Sequence, residues 1–216
     1  MKVILTGATG MVGEAVLLEC IANDAVTEIL MVNRRPSPVK HAKLKELILA
    51  DFTQLADHAE AVKGYDGCFF CAGVSSIGMK EEKYTQLTYD LTIAFAKALA
   101  AVNPQMVFCY VTGRHTDSSE KGRLMWARVK GKTENDLMKL PFRGQYNFRP
   151  GAMRPYPGQQ NSKAIYTVLV KLIALFAPKT VCSLQEVGQA MINTVSKGYP
   201  KQILEVRDIK ELAAAK

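Results

Sequence analysis

The 216-residue chain holds no apolar run long enough to cross a bilayer; its most apolar stretch, residues 164–177, is too short and carries Lys171 near its middle. Only Met1 and Lys2 precede the first strand-like run, too little for a secretory leader. Disulfide patterning is also missing. The five cysteines (Cys20, Cys68, Cys71, Cys109 and Cys182) are odd in number and fall mostly in apolar stretches, which favours a reducing compartment. Cys68 and Cys71 are spaced Cys-x-x-Cys, but Phe69 and Phe70 separate them and no second pair follows. Neither zinc nor dithiol chemistry is expected there, and no metal site is assigned. Repeats, low-complexity tracts and linkers are lacking as well. These absences set the expectation of a cytoplasmic protein without membrane association, monomeric or homodimeric. It forms one domain over 1–216, in which 151–216 is a C-terminal substrate or capping segment.

What is present is an ordinary globular composition, 48% hydrophobic and 22% charged, with a formal net charge of +8. The excess positive charge is dispersed. Over 120–136, Lys121, Arg123, Arg128, Lys130 and Lys132 are interspersed with acids such as Glu134, the pattern of a solvated helix face, so no nucleic-acid partner is expected. Short apolar runs alternate with longer helical patterns. Strands are expected over 3–5, 29–32, 47–50, 68–71, 106–111 and 145–148, and helices over 11–22, 81–101 and 118–139. Such alternation, with apolar strands unbroken by polar residues, implies an α/β fold with a doubly wound parallel sheet covered on both faces. After Arg149 the rhythm changes. A Pro- and Gly-containing loop over 151–162, an apolar helix, a helix over 183–197 and a strand at 203–206 suggest a small C-terminal extension packed on the sheet.

Gly7, Gly10 and Gly13 follow the first strand and open the first helix, in Thr6-Gly7-Ala8-Thr9-Gly10-Met11-Val12-Gly13. That is the context of a dinucleotide-binding loop: glycines permit the turn, the approach of backbone to pyrophosphate and the close packing of helix on strand. The helix N-terminus adds unpaired N–H donors. The fold is therefore expected to be Rossmann-like, with Thr9, Met11 and Val12 joining the glycines around the phosphates. About twenty residues on, a carboxylate would bind the ribose 2′-OH of NAD, whereas an arginine accommodates the 2′-phosphate of NADP. Asn33-Arg34-Arg35 carries no acid there, and a guanidinium forks two hydrogen bonds onto phosphate. NADP is expected, with NAD possible.

Together with Asp51-Phe52, Cys71-Ala72-Gly73, Val129-Lys130-Gly131 and Phe148-Arg149-Pro150-Gly151, these segments resemble the atypical short-chain dehydrogenase/reductases. The nearest branch is the small Tat-interacting-protein-like oxidoreductases, related to the epimerase/dehydratase group, and the resemblance runs from residue 1 to about 206. It implies that Asp51 and Phe52 lie beside the adenine, that Ala72 and Gly73 approach the cofactor, that Pro150 and Gly151 lie near the nicotinamide, and that Lys130 binds the nicotinamide ribose. It also implies a Ser or Thr at the end of the fifth strand and a Tyr-x-x-x-Lys on the next helix, with the lysine lowering the phenol pKa for proton exchange. Thr112 and Lys130 match. The tyrosine position is Trp126, whose indole N–H only donates a hydrogen bond.

Thr112, Trp126 and Lys130 are thus the catalytic assignments, with the acid–base group incomplete. His115, Tyr84 and Tyr89 are candidates to replace it. An NADP-dependent oxidoreductase acting on an unknown small carbonyl or alcohol is expected. The alternatives are a catalytically inactive NADPH-binding sensor or interaction protein, and an epimerase- or dehydratase-like enzyme. Residues 155–162 should line the substrate pocket but match no motif. The 164–177 helix packs in the core, caps the substrate or joins a dimer.

Overall fold

The computed structural model describes residues 1–162 and 164–215. Along β1 (Lys2–Thr6), Val3 and Leu5 enter one apolar cluster and Ile4 another, so each strand residue feeds a core on its own side of the sheet. The same alternation runs through β2 (Glu28–Asn33), β4 (Gly67–Phe70) and β5 (Val107–Val111). Residues on both sides of these strands are apolar because helices cover both faces. With β3 (Leu44–Ile48), β6 (Gly144–Arg149) and β9 (Ile203–Glu205), the strands pair in the order β3-β2-β1-β4-β5-β6-β9, every pair parallel.

One face is covered by α1 (Met11–Ala22), α7 (Leu184–Lys197) and α8 (Val206–Ala214). Val16, Leu17 and Cys20 of α1 share a cluster with Val187, Met191 and Val195 of α7. The other face carries the 3₁₀ turn Phe52–His58, α2 (Ala59–Val62), α4 (Leu91–Val102) and α5 (Met125–Leu137). There the ring of Phe95 stands edge-on to Phe70, centroids 5.2 Å apart. A short α3 (Glu81–Thr85) and a π-helical turn, Gln86–Asp90, run directly into α4. After β6 the chain makes β7 (Ala152–Arg154), α6 (Ala164–Phe176) and β8 (Val181–Ser183). β7 and β8 form a separate two-stranded sheet, whereas β9 joins the main sheet at its edge.

The doubly wound, Rossmann-like parallel sheet read from the sequence is the fold observed. From β1 the chain winds outward through β2 and β3, then returns to β4 on the other side of β1. The order therefore reverses between β1 and β4, and the crevice at their carboxyl ends is where such sheets bind ligands.

Two elements differ from expectation by more than a residue, and the stretch expected as a loop over 151–162 contains β7. The third strand is Leu44–Ile48 rather than 47–50. It is an edge strand with Lys45 and Glu46 among its residues, so the apolar run alone marks only its end. The helix expected over 118–139 begins at Met125. Asp117 holds the intervening chain in a turn: its carboxylate accepts from Ser119 N at 3.0 Å, Ser119 Oγ at 2.6 Å and Gly122 N at 2.6 Å.

Candidate functional site

The glycine loop fills the β1–β4 crevice. Gly7 has φ +73°, and a Cβ there would lie 2.7 Å from Ala72 N, so only glycine lets the ends of β1 and β4 come together. Thr6 Oγ1 ties the same junction by accepting from Ala72 N at 3.1 Å. A Cβ on Gly13 would lie 2.0 Å from the Gly7 carbonyl, which is how α1 packs so closely on the turn. Gly10 is the helix N-cap, and its N–H donates to Gly7 O at 2.9 Å. It offers no side-chain cap, so the first amides of α1 lack a side-chain partner. Thr9 is exposed on the loop, and Met11 and Val12 are half-buried.

A carboxylate that sequence reasoning missed sits in this first turn. Glu14 is buried, and its two oxygens accept from Gln160 N and Asn161 N, each at 2.7 Å. Gln159 Nε2 donates to Met11 O at 3.3 Å, and Gln159 Oε1 accepts from Tyr156 N at 2.6 Å. Residues 156–161 therefore strap across the start of α1. No local pattern announces a contact between positions so far apart in sequence.

At the end of β2, Arg34 and Arg35 are exposed while Asn33 is buried. Asn33 Nδ2 donates to Glu46 Oε1 at 2.8 Å, and Ser37 N donates to the same oxygen at 2.8 Å. Glu46 of the neighbouring strand β3 thus brings a carboxylate beside the end of β2. Asp51 is exposed and caps the following 3₁₀ turn, accepting from Thr53 N at 2.9 Å and Thr53 Oγ1 at 2.8 Å. Those bonds, the backbone one foremost, hold its carboxyl below the usual range. The ring of Phe52 is buried against Phe95, so its side chain is not free to meet a ligand. Beyond β4, Gly73 is exposed with open space where a side chain would be.

Across the crevice, α5 carries Trp126, Lys130 and Glu134, each four residues after the last and so along one face. Trp126 is half-buried. Lys130 Nζ donates to Val111 O at 3.3 Å and lies 5.3 Å from the Tyr110 ring centroid. Burial lowers its pKa to about 8, against an opposing pull from Glu134. Thr112 Oγ1 donates to Glu134 Oε1 at 2.6 Å. Glu134 is fully buried, and both its oxygens accept from Arg149, which closes β6 and donates from Nη2 to Ser118 Oγ at 2.6 Å as well. The four-residue spacing from Lys130 was the available signal for Glu134. Gly131 has a spatial reason too: a Cβ there would lie 1.8 Å from Asp117 O.

Thus the assigned residues gather at the carboxyl ends of β1 to β6, but several are already engaged. Pro150 is buried, its carbonyl accepting from Arg114 N at 3.1 Å. The side of Gly151 that lacks a side chain is taken by Thr180 O, 2.1 Å from where a Cβ would stand. The proposed stand-ins for the missing tyrosine fare poorly. Tyr84 is buried, Tyr89 donates to Asp136 Oδ2 at 2.6 Å, and His115 is exposed in a left-handed turn at φ +72°. The Cys68 and Cys71 thiols are pushed well above their ordinary pKa by burial, so neither supplies a thiolate.

Residues 3–120 match the sequence model of the NAD dependent epimerase/dehydratase family. Protein fmp52, mitochondrial, of Emericella nidulans is 28% identical over 217 residues, covering 94% of this chain and 90% of that protein. Leucinostatins biosynthesis cluster protein T of Purpureocillium lilacinum is 30% identical over 143 residues, 65% of this chain; the match spans only about half of that relative, 52%. Protein HTATIP2 of Rattus norvegicus is 24% identical, with 70% and 62% covered. Among solved structures, a glucuronic acid dehydrogenase from Chromohalobacter salexigens superposes with a TM-score of 0.67 at 16% identity, covering 94% of this chain and 75% of its own. The cytoplasmic location expected from the sequence is corrected by these relatives, since several fmp52 proteins are mitochondrial by name. Cysteine usage separates reducing from oxidising surroundings and does not discriminate among reducing ones.

Proposed function

The chain belongs to the NAD-dependent epimerase/dehydratase family, and on that premise we propose that it is an NADP(H)-dependent oxidoreductase acting on a small carbonyl or alcohol. The residues present fit the cofactor. The uncapped start of α1, the turn that only Gly7 permits and the open space at Gly73 make a cradle for a pyrophosphate and its neighbouring ribose. Gly7, Thr9, Gly10, Met11, Val12 and Gly13 would hold the phosphates, Asp51 and Phe52 would flank the adenine, and Ala72, Gly73 and Lys130 would hold the nicotinamide end, with Pro150 and Gly151 shaping that end through the contacts they already make. When bound, the cofactor supplies or accepts hydride. Exposed Arg34 and Arg35 favour a 2′-phosphate. Glu46, held by Asn33, tempers that preference and makes the NADP-to-NAD ratio a direct test of this part of the reading.

The observation that carries the reading is Lys130. Its ammonium is anchored at the end of β5, and its pKa of about 8 leaves it mostly protonated at neutral pH yet able to release a proton. In the chemistry proposed, Lys130 gives a proton to the substrate oxygen during reduction and takes one during oxidation. Trp126, one turn earlier, orients that oxygen with its indole N–H. Steady-state NADPH oxidation over a carbonyl panel tests this: wild type turns over, and Lys130→Met abolishes turnover while keeping NADPH affinity within severalfold.

One contact favours a second reading, a cofactor-binding protein without turnover. The Thr112 hydroxyl donates to Glu134 rather than lying free for a substrate. A silent wild type and an active Trp126→Tyr would establish that second reading. The mitochondrial location of the fmp52 relatives is proposed for this chain as well, and fractionation of cells expressing it tests the assignment.

A further inference from the structure

A row of apolar side chains lies open to water on α6. Val168, Leu169, Leu172, Leu175 and Phe176 are 58, 53, 52, 74 and 83% exposed. Their spacing by three and four places them on one face of the helix. The opposite face is fastened to the protein: Val170 is buried, and the Tyr166 hydroxyl accepts from Met153 N at 3.1 Å. Soluble monomers rarely leave so continuous an apolar surface without a use for it.

The stretch of chain that carries that surface has charge of one sign. Between Asp136 and Glu186 the sequence contains no Asp or Glu and seven Lys and Arg. Arg154, Lys171 and Lys179, which flank or interrupt α6, are exposed. Two further exposed apolar residues, Ile77 at 90% and Leu124 at 57%, lie on the connections leaving β4 and β5. Those connections depart from the same end of the parallel sheet as the one that leads to α6.

We propose that α6 docks the protein on an anionic lipid bilayer, with its apolar row in the interfacial layer and Arg154, Lys171 and Lys179 against lipid phosphates. At 13 residues α6 is about 20 Å long, too short to span and suited to lying flat. None of the helices among the described residues is long and apolar enough to cross a membrane. A second copy of this chain is the poorer occupant. A two-fold contact through α6 would set like charges against each other, with no acid in the whole stretch to pair with them. This inference replaces the expectation of no membrane association, which rested on the length of the 164–177 stretch, and it holds whether or not the protein turns over substrate.

Co-sedimentation of the full chain with vesicles tests it. Mixed phosphatidylcholine and phosphatidylglycerol vesicles should bind the wild type at least about tenfold more tightly than phosphatidylcholine alone, with binding that falls as salt rises. Leu175→Ser with Phe176→Ser should lower partitioning by about a hundredfold or more, each buried side chain being worth roughly tenfold, while thermal melting and NADPH affinity stay at wild-type values. Lys171→Glu with Lys179→Glu should weaken binding to the mixed vesicles and leave the phosphatidylcholine control unchanged. Wild-type protein that ignores the mixed vesicles, or binds both kinds equally, overturns the proposal. So does light scattering that finds a lipid-free dimer dispersed by the Leu175/Phe176 pair of changes.

Discussion

Glu134→Gln removes one charge from an ion pair whose side chains are 0% and 10% exposed. The volume hardly changes, so the cost is electrostatic and not that of a cavity. Arg149 keeps only the looser, half-exposed Glu205 at 3.6 Å as a carboxylate partner, and Thr112 loses its carboxylate acceptor. Breaking one side of such a pair costs about 3–5 kcal/mol. For a chain of this length each kcal/mol moves Tm by about 2–4 °C, so Tm should fall by roughly 6–20 °C. Thermal and urea unfolding followed by circular dichroism measure both quantities. Arg149→Met alone should cost a similar amount, and Glu134→Met with Arg149→Met should recover much of the loss, because an apolar pair strands no charge. A second readout follows from the position of Glu134 one turn beyond Lys130. Its carboxylate raises the lysine's pKa, so Glu134→Gln should carry Lys130 below about 8. Single variants within 1 kcal/mol of wild type would refute the reasoning, since the pair would then be as well solvated as a surface contact.

Three other expectations rest on different contacts. Gly13→Ala places a methyl 2.0 Å from a backbone carbonyl that cannot swing aside, so NADPH binding followed through Trp126 fluorescence should be lost. Arg34→Ser with Arg35→Ser should weaken NADPH by about ten- to a hundredfold and NADH by much less, the measure of charge-assisted bonds to a 2′-phosphate; equal losses for both would remove the NADP preference. Lys130 is held below its ordinary pKa by burial, so the unfolded chain binds the extra proton more readily between about pH 8 and the unperturbed value. Its destabilising contribution is fully present below pH 8 and fades as pH rises. Lys130→Met should therefore stabilise the protein at pH 7, with a gain that shrinks above pH 8 in urea titrations.

The glycine loop was legible in the sequence because its cause is local: a strand, a turn that only Gly7 can make and a helix follow one another within twelve residues. The parallel sheet was legible for a similar reason, since burial on both faces leaves uninterrupted apolar runs. The β3 boundary was not, because this edge strand is only partly buried and Lys45 and Glu46 break the run. Contacts that join distant residues left no trace. Glu14 to Gln160, Asn33 to Glu46 and Glu134 to Arg149 each depend on two positions whose pairing is set by topology and not by neighbours in sequence. Residues named from the sequence do lie near one another at the carboxyl ends of the strands, while what those side chains already hold was hidden.

The strap over α1 ties the segment before α6 to the first helix. Residues 156–161 are fastened to Glu14 and Met11, and α6 begins a few residues later, at Ala164. Anything that draws α6 outward must load those two amide–carboxylate bonds, and they end on the helix turn that would meet the phosphates. If filling the phosphate site stiffens that anchor, then by reciprocity whatever α6 rests on alters the grip on the dinucleotide by the same factor.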